Sequence, residues 1–160
     1  MIFPTGEPLL LGWITLQWPS PLMLLALASL LFAWRRTNAT SRALSVAVAA
    51  MVLIHLFAWL AYGSQDSLHA VCSAIGLMLI LPISLRARAF SPLVVAACVL
   101  VGALSLVCAG LVEPPAARAA RLIAGLANLM MLGALWGGLL ASQNRARPRP
   151  ALRQARQFDG

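Results

Sequence analysis

Five apolar stretches without a charged residue constrain the fold of this chain more than any other feature. They cover residues 19–34, 43–62, 67–85, 91–112 and 122–141, and short polar joints separate them. A bilayer core takes about 20 helical residues to cross, and only helices or closed barrels satisfy their backbone groups in lipid. The pattern therefore predicts an all-α, polytopic membrane protein with five transmembrane helices.

The charges of the polar joints alternate along the chain and predict an orientation. The first joint holds Arg35, Arg36 and Arg42, the third holds Arg86 and Arg88, and the tail holds Arg145, Arg147, Arg149, Arg153 and Arg156. The second joint has Asp66, and the fourth has Glu113 with Arg118 and Arg121. Because basic joints stay in the cytoplasm, we expect a periplasmic N-terminus and a cytoplasmic C-terminus.

The two ends of the chain differ in character from the five stretches. Within the N-terminal segment, residues 1–18, positions 8–17 are apolar but end in Trp18-Pro19-Ser20-Pro21, and two prolines disfavour a continuous helix through this point. We expect a short interfacial helix on the periplasmic surface, held by tryptophans. The tail, residues 143–160, is basic and contains prolines, so we expect it to meet anionic lipid or a cytoplasmic partner.

The composition bounds the class of protein. The stretches use most of the 160 residues, which leaves no room for a separate soluble domain. The net charge of +8 comes from the arginines that set the orientation, so we do not expect nucleic-acid binding. Every basic residue is Arg, which we interpret as a bacterial coding bias, and a bacterial inner membrane follows from that interpretation.

No stretch contains Asp, Glu, Lys or Arg. Proton and cation transporters keep ionisable groups in the membrane to bind the ion, and hydrolases need paired carboxylates or metal ligands. The sequence therefore predicts neither a catalytic residue nor a metal site. The three cysteines, Cys72, Cys98 and Cys108, lie within stretches without a CxxC spacing and are interpreted as packing residues.

Two histidines on consecutive predicted helices are the candidate cofactor ligands. His55 lies in the second stretch and His69 near the start of the third, and the short joint between them should place both helices side by side. A b-type haem takes two axial imidazoles, so His55 and His69 are candidate haem b ligands. The alternative is that both are hydrogen-bonded packing residues.

Small and polar residues mark two further surfaces. Gly125, Gly133, Gly137 and Ala141 form a small-residue stripe on the fifth stretch, with Gly133 and Gly137 in a GxxxG spacing. Such residues permit close helix packing, either within the bundle or against another subunit. Polar groups concentrate in the predicted outer leaflet, where Cys72, Asn128, Arg118 and Arg121 form a candidate cluster.

These features favour a small non-catalytic subunit of a larger inner-membrane complex. It would offer helix-packing surfaces to other integral-membrane subunits. One alternative is a membrane anchor of an electron-transfer complex that carries haem b or lies near a quinone. A second alternative is a small transporter or channel for a neutral solute.

Overall fold

The computed structural model describes residues 21–63, 66–87 and 89–146, which form five helices and no strand. The helices are α1 (Pro21–Arg36), α2 (Ala39–Tyr62), α3 (Asp66–Arg86), α4 (Phe90–Leu111) and α5 (Pro114–Ala146). The last four are long and apolar enough to cross a membrane, and α1 is a shorter apolar helix. The predicted all-α, polytopic membrane fold is confirmed. The expected interfacial helix over residues 1–18 and most of the tail lie outside the described residues.

Local sequence explains where the helices begin and end. The Asn38 side chain accepts a hydrogen bond from the Ser41 amide at 2.9 Å and caps the start of α2. Gly63 ends α2 with a φ of 74°, a conformation that L side chains rarely adopt, and its N–H donates to the Trp59 carbonyl at 2.9 Å. Pro114 opens α5, where a proline is tolerated because first-turn amides have no intrahelical acceptor.

The fifth helix is longer than the fifth apolar stretch. It begins at Pro114 rather than at Leu122, so Arg118 and Arg121 belong to its first turns instead of to a joint. Its 33 residues extend about 50 Å at 1.5 Å per residue, whereas the hydrocarbon core is about 30 Å thick. The helix therefore reaches beyond the apolar layer at one end or at both.

The five helices close into a ring. Each helix packs against its neighbour in sequence, with the most extensive contact between α4 and α5, and α1 also packs against α5. The Phe32 ring on α1 lies 5.5 Å from the Trp136 ring on α5, centroid to centroid. One end of the ring, here the basic end, contains the starts of α2 and α4 and the final turns of α3 and α5.

The bundle is apolar on its outside as well as inside. Leu31, Phe57 and Leu111 are 73%, 71% and 81% exposed, as are many other large apolar side chains. Water would oppose such a surface, whereas lipid accepts it. The exterior therefore supports a multi-pass membrane protein.

The interior is divided into two unequal parts. The main apolar core lies in the half of the bundle nearer the basic end and includes Met51, Ile80, Val95 and Leu135. The opposite half has only a small apolar cluster of Ala70, Leu106 and Ala124. The two histidines occupy that half, between α2 and α3.

Candidate functional site

The structure brings His55 and His69 together. Their ring centroids are 5.4 Å apart and the ring planes are inclined by only 22°, so the imidazoles stack face to face. The two side chains are 2% and 0% exposed. The packing of α2 against α3 thus places two buried imidazoles in direct contact.

Both ring nitrogens of His55 have hydrogen-bond partners. Nδ1 lies 2.9 Å from the Met51 carbonyl oxygen, which can only accept, so Nδ1 carries the proton. In the neutral imidazole Nε2 is then an acceptor, and the Ser73 hydroxyl, 3.2 Å away on α3, donates to it. Ser73 lies 18 residues from His55 in sequence. The Met51 carbonyl thus sets the tautomer of His55, and the two bonds together fix the orientation of its ring.

His69 differs from His55 in its hydrogen bonding. Neither of its ring nitrogens has a hydrogen-bond partner in the described part of the chain, although the side chain is fully buried. A buried polar group without a partner costs free energy unless another molecule supplies the missing bond. His69 is therefore the one imidazole of the pair with free hydrogen-bonding capacity.

The arrangement does not present the two imidazoles as axial ligands. Such ligands direct one nitrogen each at the iron from opposite faces of the macrocycle. His55 instead directs its nitrogens at Met51 and Ser73, and its ring stacks on His69. The space beside Gly76, which a macrocycle would need, is filled by the Met51 side chain, because a Cβ at Gly76 would overlap it. The geometry favours the packing interpretation, and haem ligation stays a prediction.

The predicted polar cluster is spread over two helices. Cys72 is buried on α3, while Asn128 and Arg121 are half-buried on α5 and Arg118 is exposed there. Asn128 faces α4, since its Oδ1 lies 3.8 Å from the Cβ position of Gly102. Helix α4 packs against both α3 and α5. Within the described ranges no three His, Cys, Asp or Glu residues are grouped to hold a metal ion.

The small-residue stripe on α5 faces outward over most of its length. Gly133, Gly137 and Ala141 are exposed, whereas Gly125 is buried. A Cβ added at Gly133 or Gly137 would meet no described atom within 4 Å. The close approach of α4 to α5 occurs instead at Gly138, where a Cβ would overlap the Ser91 side chain. Among the described residues, the GxxxG pair therefore makes no close helix contact.

Comparisons with protein-family models, with curated proteins and with solved structures find no match to this chain.

Proposed function

We propose that this chain is a small, non-catalytic integral-membrane subunit that docks onto another membrane subunit through the outward face of α5. The observation that carries the proposal is the exposure of Gly133 and Gly137, where an added Cβ would meet no atom of the described residues within 4 Å. This docking face comprises Gly133, Gly137 and the exposed apolar residues around them, Leu126, Met130 and Leu140.

Glycine has no intrinsic advantage on a lipid-facing helix. Each glycine in a helix interior costs roughly 1 kcal/mol relative to alanine, and lipid provides no hydrophobic gain that offsets this cost. A helix from another subunit does offset it, since the missing side chains let two backbones approach closely. The large side chains of Met130 and Leu140, 63% and 50% exposed, would then pack on both sides of the contact.

The proposed location is the inner membrane of a bacterium. The arginines of the first joint, the third joint and the tail support a bacterial inner membrane as the location, with the basic end of the bundle in the cytoplasm and the N-terminus in the periplasm. In this orientation the tail after Ala146 reaches anionic lipid or a cytoplasmic partner. The first helix, 16 residues long, crosses the membrane near the minimum length.

The test replaces Gly133 by Leu in the full-length protein in its native membrane. We expect Gly133→Leu to lose the partner subunit on affinity purification, while the isolated variant keeps the helix content and thermal unfolding midpoint of the wild type. Gly110→Leu is the matched control, because Gly110 is exposed on α4 and a Cβ there meets no described atom within 4 Å. Retention of the partner by Gly133→Leu would exclude this face as the interface. A complex containing only this chain would identify the partner as a second copy.

A membrane anchor for an electron-transfer complex is the second candidate, because of His69. Its two unpartnered nitrogens are suited to bond a cofactor or a quinone carbonyl that reaches the α2–α3 contact. An absorption spectrum of protein purified under haem-replete conditions tests the haem form of this candidate. A colourless preparation excludes tightly bound haem.

A further inference from the structure

A cavity of about 590 Å³ opens at the basic end of the bundle. It lies between the first turn of α2, the α3–α4 joint and the last turns of α5. Its volume is within the range of small-molecule sites, roughly 300–1,000 Å³. It lies far from the two histidines and does not include Gly133.

The wall of the cavity is basic and hydroxyl-rich. Arg86 is the one charged side chain among the described residues that line it, and Ser41, Ser91 and Ser142 contribute hydroxyl groups. No described carboxylate lies within ion-pair distance of Arg86, and none lines the cavity. The guanidinium thus retains five N–H donors for an anion.

The floor of the cavity is apolar. Leu44, Leu135 and Leu139 are buried and line its inner side, whereas Arg86 is exposed near the end of α3. The cavity therefore changes from polar at its exposed rim to apolar at its buried floor. A phospholipid has this same division, with a phosphate at the surface and acyl chains below it.

Backbone N–H groups at the start of α4 add to the positive electrostatic potential of the cavity. Ala89 precedes α4 and supplies no side-chain cap, so the Phe90 and Ser91 amides of the first turn receive no capping bond from it. The N-terminus of a helix carries a partial positive charge that favours anions. Gly137 forms part of the wall and, lacking a side chain, leaves that part of the cavity open.

We propose that this cavity binds the phosphate group of an anionic phospholipid, with the Arg86 guanidinium as its principal donor and the apolar floor against the acyl chains. The cavity shares Gly137 with the docking face but not Gly133, so Gly133→Leu should disrupt docking and leave lipid binding unchanged. It also differs from a general attraction of the basic tail for lipid, because it requires one arginine in one place.

The experiment measures phosphatidylglycerol binding to the full-length protein in detergent micelles, by native mass spectrometry and by the thermal unfolding midpoint. We expect the wild type to retain phosphatidylglycerol and to gain stability from it, with less effect from phosphatidylcholine. Arg86→Gln should weaken the apparent affinity by at least roughly tenfold, as expected for the loss of a charge-assisted hydrogen bond.

Two further variants make the test specific. Arg42→Gln removes the same charge from an exposed position at the same end of the bundle, outside the cavity wall, and should keep nearly the wild-type affinity. Gly137→Leu should weaken binding by narrowing the cavity, because a Cβ there meets no described atom within 4 Å and the larger side chain can extend into the open space. An unchanged thermal unfolding midpoint without lipid checks that this variant keeps the fold.

The outcomes distinguish a specific site from other sources of affinity. Equal losses in Arg42→Gln and Arg86→Gln, or wild-type affinity in Gly137→Leu, would overturn the site in favour of diffuse attraction. A third arm adds inorganic phosphate alone. If inorganic phosphate raises the thermal unfolding midpoint of the wild type as much as phosphatidylglycerol does, and Arg86→Gln removes that effect, the phosphate site is supported. The assignment of the site to a lipid is then overturned.

Discussion

Ser73 on α3 donates a hydrogen bond to Nε2 of His55 on α2. This bond joins the two helices in the half of the bundle that has the smaller apolar cluster. Both side chains are buried, so water does not compete for the bond. Since the His55 tautomer is set by the Met51 carbonyl, Ser73 is the residue that satisfies the second nitrogen. The bond therefore connects α3 to α2 through the His55 side chain.

The first prediction concerns the loss of the Ser73 hydroxyl. Ser73→Ala should lower the free energy of unfolding in mixed micelles by about 1 kcal/mol, because Nε2 of His55 is left buried without a partner. Ser67→Ala, at an exposed position on the same helix, is the control and should have little effect. Equal unfolding free energies for the two variants would show that the bond contributes nothing to stability.

The second prediction concerns the contact between Gly76 and Met51. Gly76→Ala should destabilise the bundle by about 1–3 kcal/mol, because the added methyl group overlaps the Met51 side chain. Gly110→Ala, on an open surface of α4, should be neutral or slightly stabilising. In a Met51→Ala background the cost of Gly76→Ala should fall. An unchanged cost in that double-mutant cycle would contradict the contact.

The third prediction separates the two histidines. His69→Leu should leave the free energy of unfolding unchanged or raise it, since two unpartnered nitrogens are removed from the interior. His55→Leu should lower it by about 1–3 kcal/mol, because Ser73 and the Met51 carbonyl lose their partner. If instead the wild type shows a Soret band that both variants lose equally, the histidines are haem ligands.

The fourth prediction concerns orientation and uses reporter fusions in the bacterial host. Fusions in the 35–42 joint and after Gln143 should report the cytoplasm, and fusions at Ser64 and Ala116 should report the periplasm, as the arginine distribution requires. Ala116 lies in the first turn of α5, at the end opposite Gln143. A cytoplasmic signal at Ser64 would contradict the proposed topology.

The number and type of the helices could be predicted from sequence because chain length and hydropathy leave few alternatives in lipid. The start of α5 could not, since a charge-free stretch marks the apolar layer and not the helix. Arg118 and Arg121 continue the helix past that layer, where long side chains reach polar surroundings.

The orientation of each helix within the bundle was harder to predict. Helices that are apolar on every side carry little amphipathic signal, so the sequence could not decide whether Gly133 and Gly137 face α4 or the lipid. His69 lies close to the start of the third stretch, and its position in the sequence gives no sign of burial by another helix. The structure buries it fully, because the α2–α3 contact extends to that level. The cavity at the basic end combines three parts of the chain that share no sequence motif.

Ring closure between α1 and α5 imposes an order on biogenesis. The residues in contact there, such as Phe32 and Trp136, are about 100 positions apart, so this contact cannot form until α5 has been synthesised. Until then the inward side of α1 has only α2 for a neighbour. Nascent chains that end before α5 would therefore be incomplete bundles without the α1–α5 contact. Quality-control proteases could reach them until the final helix is inserted.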